Sequence, residues 1–331
     1  MFSWLRHTGR LIKIGYTLSK HDALMDLLNL FGNQPKALEQ LRKFNVKFDV
    51  DGKPETKLVI ALQDLGPSFI KIGQALATRP DIIGPEVAFD LLKLQDQVPP
   101  FSGKKAKEII EQEFGSTVQE LFKEFNEEPI AAASIAQVHM AKTKDNKKIA
   151  VKVLRPGIAK AFARDLEAFQ WLAGIVEFFS NEARRLRPSK VVETIADVIT
   201  LEMDLRIEAA AAAELKQNTK DNPHYDVPEV NWDLTSRQVL TTNWVDGISF
   251  KARDKMLKAG LDPSKLAENL VQGFLGQALN DGFFHADLHQ GNLFAGENNK
   301  VTAIDFGIMG RIDLKTRRAL AEILFGFANQ D

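Results

Sequence analysis

Apolar positions recur at helical spacing over most of this chain. Residues 1–33 carry Phe2, Trp4, Leu11, Ile12, Ile14, Leu18 and Leu24 among Arg6, Arg10, Lys13 and Lys20, which predicts an amphipathic helix or helix pair. Such a helix either packs on the body of the protein or lies at a lipid interface, with its basic residues near headgroups and Trp4 at the boundary. Residues 45–56 are polar and hold Asp51-Gly52 and Pro54, a loop pattern. Helical periodicity returns from Leu58 to Thr78 and from Pro85 to Gln95, and Pro99-Pro100 interrupts it. A further helix is expected from Ser102 to Phe114, and a short one from Thr117 to Phe125.

Between Ile135 and Leu154 the pattern changes. Gln137–Ala141 and Ile149–Val153 flank a turn at Lys144-Asp145-Asn146-Lys147, which predicts a β-hairpin. Two long helices follow, over 158–181 and 189–218, the second containing the alanine run Ala209–Ala213. Val227–Val230 and Gln238–Thr242 read as strands, and Trp244-Val245-Asp246-Gly247 as a turn. Helix resumes from Pro263 to Asp281. A polar loop, His285–Asn292, precedes short strands at Leu293–Ala295 and Val301–Ile304, and a last helix starts near Leu314. There is no internal repeat.

At 331 residues the chain is long enough for a sizeable core and for about two domains. Its composition is 44% hydrophobic and 26% charged, a globular balance. The net charge of −1 gives no support to a broad nucleic-acid-binding surface. The chain has no cysteine, which excludes disulfides, thiolate metal sites and cysteine nucleophiles and fits a reducing compartment. No apolar run reaches the length of a membrane span, and the N-terminus lacks the pattern of a secretory signal.

Three pieces carry chemistry when read together. Lys152 lies on the second strand of the hairpin, in Ala150-Val151-Lys152-Val153. His285-Ala286-Asp287-Leu288-His289-Gln290-Gly291-Asn292 forms a polar loop. Asp305-Phe306-Gly307 follows an apolar strand. Phosphoryl transfer needs a cation on the phosphates, hard oxygen ligands for magnesium and a carboxylate near the incoming nucleophile. Lys152 suits the first role, Asn292 and Asp305 the second, and Asp287 the third. The spacing Asp287-x-x-x-x-Asn292 is that of a kinase catalytic loop. Taken singly the pieces are weak: a strand lysine is usually a solvated residue, Asp-Phe-Gly is a common turn, and the two loop histidines admit a zinc site.

Further motifs make a resemblance specific. Lys71-Ile72-Gly73-Gln74 is a K-x-G-Q sequence, Ala131–His139 is alanine-rich, and Glu202-Met203-Asp204 is an E-x-D sequence. With the His-Ala-Asp-Leu-His-Gln-Gly-Asn loop, these resemble the UbiB family of atypical protein-kinase-like proteins, linked to coenzyme Q (ubiquinone) biosynthesis. The resemblance covers residues 55–331.

The resemblance implies an α+β, two-lobed protein-kinase-like fold with an N-terminal helical extension and an apparently truncated large lobe. The expected division is an amphipathic segment at 1–50, the extension with the K-x-G-Q motif at 51–128, a small lobe with a helical insertion at 129–245, and a partial large lobe at 246–331. It implies Mg2+ with ATP or ADP as cofactors. Nucleotide would be held by Ala131, Ala132, Ala133, Ser134, Ile135, Ala136, Gln137 and Val138, with Lys152 and its partner Glu208. The metal would sit on Asn292 and Asp305, with Asp287 and Lys152 catalytic. The alanine-rich loop stands where ordinary kinases carry glycines, so a stiffer phosphate cradle is expected; Ala136 stands where the family usually has Gly, and a helix start is the bland alternative for this run. The family reading aims Lys71, Gly73, Gln74, Glu202 and Asp204 into the peptide-binding cleft of ordinary kinases. The bland alternative is that Glu202, Asp204 and Glu208 are solvated helix carboxylates.

Two functions follow as expectations. One is an ATP-dependent kinase or ATPase supporting ubiquinone biosynthesis, with a small or lipid-like acceptor. The other is a nucleotide-gated protein that binds lipid intermediates or ubiquinone-biosynthesis enzymes without required phosphotransfer. A small-molecule phosphotransferase of the aminoglycoside or choline kinase type shares the catalytic loop but lacks the Lys71–Gln74 and Ala131–His139 motifs. The expected location is peripheral, on the cytoplasmic face of the bacterial inner membrane.

Overall fold

The computed structural model describes residues 3–23, 57–77, 80–92, 94, 99–179, 184–185 and 187–329. The predicted second half of the N-terminal helix pair and the loop at 45–56 lie outside the described residues, as do Phe2, Thr78 and Gln95.

Along the chain, α1 (Ser3–Lys20) is followed by α2 (Lys57–Leu65), α3 (Pro67–Ala77), α4 (Pro80–Ile83) and α5 (Pro85–Leu91). Next come α6 (Gly103–Phe114), α7 (Val118–Leu121) and three strands, β1 (Glu124–Ala132), β2 (Ala136–Lys142) and β3 (Lys148–Leu154). Then α8 (Ile158–Phe179), α9 (Pro188–Glu202) and α10 (Leu205–Asn218) lead into β4 (Tyr225–Asp226), β5 (Val239–Asn243) and β6 (Ile248–Ser249). The last part holds α11 (Arg253–Lys258), α12 (Pro263–Gly276), β7 (Phe283–His285), β8 (Leu293–Ala295), β9 (Val301–Ala303), β10 (Met309–Arg311) and α13 (Leu314–Asn329). Helix and sheet are mixed, the α+β class that the motifs imply.

The chain divides into two compact units, residues 1–102, 131–137 and 154–201 against residues 103–130, 138–153 and 202–331. The first is helical. Ile14 and Leu18 of α1 pack with Ala61, Leu65 and Phe69 of α2 and α3, and Leu11 adds to the same cluster. So α1 turns its apolar face to protein. Its basic face is engaged too: Arg10 reaches Asp165 of α8 through Nε at 2.6 Å and Nη2 at 2.8 Å. Asp165 is fully buried and also accepts from Ser68 Oγ at 2.6 Å. The predicted helix 58–78 breaks at Gly66, whose φ of 107° lies in the left-handed region that glycine tolerates. Gly73 of the K-x-G-Q motif is in α3, where a β-carbon would overlap Leu94 and crowd Leu62.

The second unit contains a four-stranded sheet in the order β1-β2-β3-β5. The hairpin turn closes through the Thr143 N–H donating to Lys147 O at 2.9 Å, with Asn146 at a φ of 67°. Antiparallel pairing of β3 with β5 sets Lys152 opposite Leu240. A second four-stranded sheet of short strands, β4-β9-β8-β6, and the two-stranded pair β10-β7 carry the loops of interest.

Several boundaries differ from the sequence reading. The short helix is confined to Val118–Leu121, closed by a Thr117–Glu120 capping box, and the chain then turns into β1. The alanine-rich run does not start a helix: Ala131 and Ala132 end β1, and Ala136 to Val138 begin β2. The single helix over 189–218 is two helices, α9 and α10, because Asp204 takes an extended conformation and caps a new start. Glu202 and Asp204 therefore do not share a helix. The strand read at Val227–Val230 is not formed: β4 ends just before it, at Asp226, and within it only an isolated bridge pairs Val230 with Thr242.

Candidate functional site

The site is built in the second unit from β3, α10 and the two loops that flank β8 and β9. Alternation along β3 buries Ile149, Val151 and Val153, so Lys152 takes the other face. On α10, Leu205, Ala209, Ala212 and Leu215 are buried, and α10 packs on β5. Glu208 lies within the same buried stripe. A carboxylate this enclosed needs a partner. It has one: Lys152 Nζ donates to both its oxygens, at 2.7 and 2.9 Å. The backbone N–H of Phe306 donates to Oε1 at 3.3 Å.

Asp305 completes the group, its Oδ1 lying 3.4 Å from Lys152 Nζ. Burial works against the charge on Lys152, but the Asp305 and Glu208 carboxylates outweigh it and hold the ammonium well above its ordinary pKa. Burial also pushes the Glu208 carboxyl up, and Lys152 pulls the other way. Asp305 has a φ of 70°, and its Oδ1 accepts from the Gly307 N–H at 3.2 Å. This local bond is the device by which aspartate tolerates the left-handed region.

The catalytic-type loop is tied at both ends. Pairing of Leu293 with Ala303 continues one step further, where the Ile304 N–H donates to Asn292 O at 2.9 Å. Asn292 and Asp305 thus leave the same end of the β8–β9 hairpin. Within the loop, Asn292 Nδ2 donates to Asp287 O at 3.2 Å, and His289 Nε2 stands 3.6 Å from Asp287 Oδ2. At the other end, buried His285 accepts the Asp287 N–H on Nδ1 at 3.1 Å, and its ring meets Phe306 edge-on at 5.7 Å. Burial pushes the His285 imidazole below its ordinary value, with Asp305 and Asp287 pulling the other way. Gln277 Oε1 accepts the His285 N–H at 3.2 Å from a π-helical turn, Gln277–Asp281.

The donor set fits magnesium. Among the described residues no group of three or more His, Asp and Glu is disposed to hold a metal ion. Two oxygen donors, Asn292 and Asp305, suit an ion that takes its other ligands from phosphates and water. Asn292 uses its amide nitrogen inside the loop, so its amide oxygen is the atom that would face the ion. The bound ion would supply charge neutralisation at the phosphates.

The remaining motif residues lie as follows. Lys71, Gly73 and Gln74 belong to α3 in the first unit, and Gln74 Nε2 donates to Leu94 O at 3.3 Å. Glu202 ends α9. Asp204 accepts from the Arg206 N–H at 3.1 Å as a helix cap and pairs with the Arg206 side chain at 2.9 and 2.6 Å. In the first unit the alanine-rich turn is closed by the Ala133 N–H donating to Ala136 O at 2.8 Å. Ser134 is buried. Arg155, which the sequence does not single out, donates from Nε to Ala133 O at 2.9 Å. Lys251 is a second such residue: its Nζ lies 3.0 Å from where a β-carbon at Gly291 would stand.

Residues 93–331 match the ABC1 atypical kinase-like domain. The chain is 42% identical over 279 residues to a probable protein kinase UbiB of Marinobacter nauticus, covering 83% of this chain and 51% of that protein. It is 40% identical over 301 residues to the Aliivibrio fischeri protein of the same description, covering 88% of this chain and 55% of that one. The chain thus spans about half the length of the curated relatives it matches. A solved structure of Rv3197 with erythromycin, from Mycobacterium tuberculosis, matches with a TM-score of 0.53 and 26% identity, over 83% of this chain and 66% of that one. On these matches and the order of its motifs, the chain belongs to the ABC1 atypical kinase-like domain family and, within it, to the UbiB family.

Proposed function

We propose that this chain binds Mg-ATP and acts as an atypical ATP-dependent phosphotransferase or ATPase that supports ubiquinone biosynthesis. The observation that carries the reading is the junction of Lys152 with Glu208 and Asp305, beside a loop that holds Asp287 and Asn292. Lys152 neutralises phosphate charge, Glu208 orients it, Asn292 and Asp305 take the metal, and Asp287 accepts or orients the nucleophile's proton. The alanine-rich turn, Ala131 to Val138, is assigned to the nucleotide, and Lys71, Gly73, Gln74, Glu202 and Asp204 are assigned to selection of the acceptor. The acceptor is water or a small, lipid-like molecule. Work at a membrane surface is supported by uncovered apolar side chains in the first unit, Ile12 and Tyr16 on α1 and Val176 and Phe178 on α8.

The test is phosphate release by the purified chain with ATP and magnesium. Asp305→Asn abolishes it while circular dichroism stays that of the wild type; undiminished turnover in the variant defeats the mechanism. The second reading, a nucleotide-gated binding protein, is favoured by the alanine-rich turn, which the Ala133 N–H closes on Ala136 O. A deletion strain separates the two: rescue of ubiquinone by an Asp287→Asn variant that still binds nucleotide supports gating alone.

A further inference from the structure

We infer that Arg155 is a positioning residue that sets the shape of the alanine-rich turn and, through it, how tightly the chain holds a nucleotide. The inference rests on the assignment of that turn to nucleotide. Arg155 follows β3 directly and is 8% exposed. Its bonds include three to carbonyl oxygens of the described residues. Its own N–H donates to Ile135 O at 2.8 Å, Nε to Ala133 O at 2.9 Å and Nη1 to Pro99 O at 3.0 Å. The guanidinium lies 5.8 Å from the centre of the Phe101 ring. Gln137, fully buried, fastens the same two segments a second time: it accepts the Phe101 N–H at 3.0 Å and donates to Phe101 O at 3.1 Å.

A phosphate cradle works when backbone N–H groups face the anion and carbonyls face away. A glycine-rich loop can reach that arrangement when ligand arrives, because each residue has wide φ freedom. Alanines remove that freedom, so carbonyl directions must be set beforehand. Arg155 draws the carbonyls of Ala133 and Ile135 to itself, one with its side chain and one with its backbone. The planar guanidinium fixes donors in set directions, which a lysine ammonium does not. Through Pro99 and Phe101 the turn is also tied to the segment that follows the K-x-G-Q helices, so strain applied there is felt at the turn.

The experiment uses the full chain with Arg155→Lys and Arg155→Met, a fluorescent ADP analogue and ATP with magnesium. Arg155→Lys weakens ADP binding about tenfold, raises KM for ATP by more than it lowers kcat, and increases amide exchange at Ala133 and Ala136. Phe69→Leu, in the helical core of the same unit and matched for loss of melting temperature, leaves ADP affinity unchanged. Wild-type affinity in Arg155→Lys, or equal loss in the Phe69 control, overturns the inference. If Arg155→Met does not fold, Arg155→Lys and Gln137→Glu carry the test. A wild-type chain that binds no nucleotide defeats the underlying reading instead, and amide exchange then still reports whether Arg155 shapes the turn.

Discussion

Glu208 holds two donors at once, the Lys152 ammonium at 2.7 Å and the Phe306 backbone N–H at 3.3 Å. One carboxylate therefore fixes both the strand lysine and the turn that presents Asp305. Glu208→Gln removes the charge and leaves Lys152 with Asp305 as its remaining carboxylate at 3.4 Å. That pair would compete with a bound magnesium ion for Asp305. The expected result is a several-fold higher magnesium requirement and turnover lower by at least about tenfold, near 1.4 kcal/mol of barrier. Phosphate release against magnesium concentration checks it, and an unshifted curve counts against this role.

Asp204 caps the helix that carries Glu208. Asp204→Ala is expected to cost about 1 kcal/mol, the usual worth of an N-cap. Asp204→Asn keeps an acceptor and loses the pair with exposed Arg206, a change of a few tenths of a kcal/mol. Urea denaturation of the two variants separates cap from charge; equal losses would assign Asp204 a different role.

The Arg10–Asp165–Ser68 cluster makes a sharp stability prediction. Asp165 has no exposed surface and the Arg10 side chain is 10% exposed. Asp165→Ala strands a buried guanidinium and is expected to cost about 3–5 kcal/mol. Arg10→Met with Asp165→Leu removes both charges and regains most of that loss. A double-mutant cycle by thermal unfolding measures it.

Gly310 pairs with Phe284 between β10 and β7, and a β-carbon there would overlap the Phe284 ring. That ring is held edge-on by Phe274 at 5.6 Å, so it cannot swing freely aside. Gly310→Ala is expected to cost about 1–3 kcal/mol as overpacking. Phe284→Leu in the same chain recovers part of it, as urea midpoints will show.

Two buried histidines predict a pH limb. Burial pushes His139 and His285 below the ordinary imidazole value. The unfolded chain then takes up protons first as pH falls, so stability declines below about pH 6.5. His139 is fully buried, stacks on Phe125 at 5.0 Å and bonds Asn126 O at 2.8 Å. Unfolding midpoints from pH 7.5 to 5.5 should fall in the wild type and fall less steeply in His139→Gln. Identical slopes would locate the limb elsewhere.

Legibility in the sequence varied with local physics. β2, β3, β8 and β9 alternate or run apolar between turn residues, and they are found close to where the pattern puts them. β1 is hidden because it is an edge strand: Pro129 and four acidic or amide positions leave little alternation, and edges tolerate such residues. The break at Asp204 is hidden because apolar periodicity runs through it, and a capping aspartate looks like any helix acid until its φ and ψ are seen. The three-residue pairing of β7 with β10 is too short to leave a pattern. Lys152, Asp287, Asn292 and Asp305 are expected together from motif spacing, since phosphate chemistry restricts residue type, and the structure draws Lys152 to Asp305 and Asn292 to Asp287. Arg155 is not, because Arg155-Pro156-Gly157 reads as a plain turn and its bonds reach carbonyls far along the chain.

The restart at Asp204 has a bearing on what this architecture can absorb. In an unbroken helix each inserted residue turns everything downstream by about 100°. An addition upstream of Glu208 would then swing it off Lys152. Because a fresh helix begins at Leu205, three residues before that glutamate, its angular phase is reset locally. A change in the length of α9 therefore does not carry its rotation into the helix that presents Glu208.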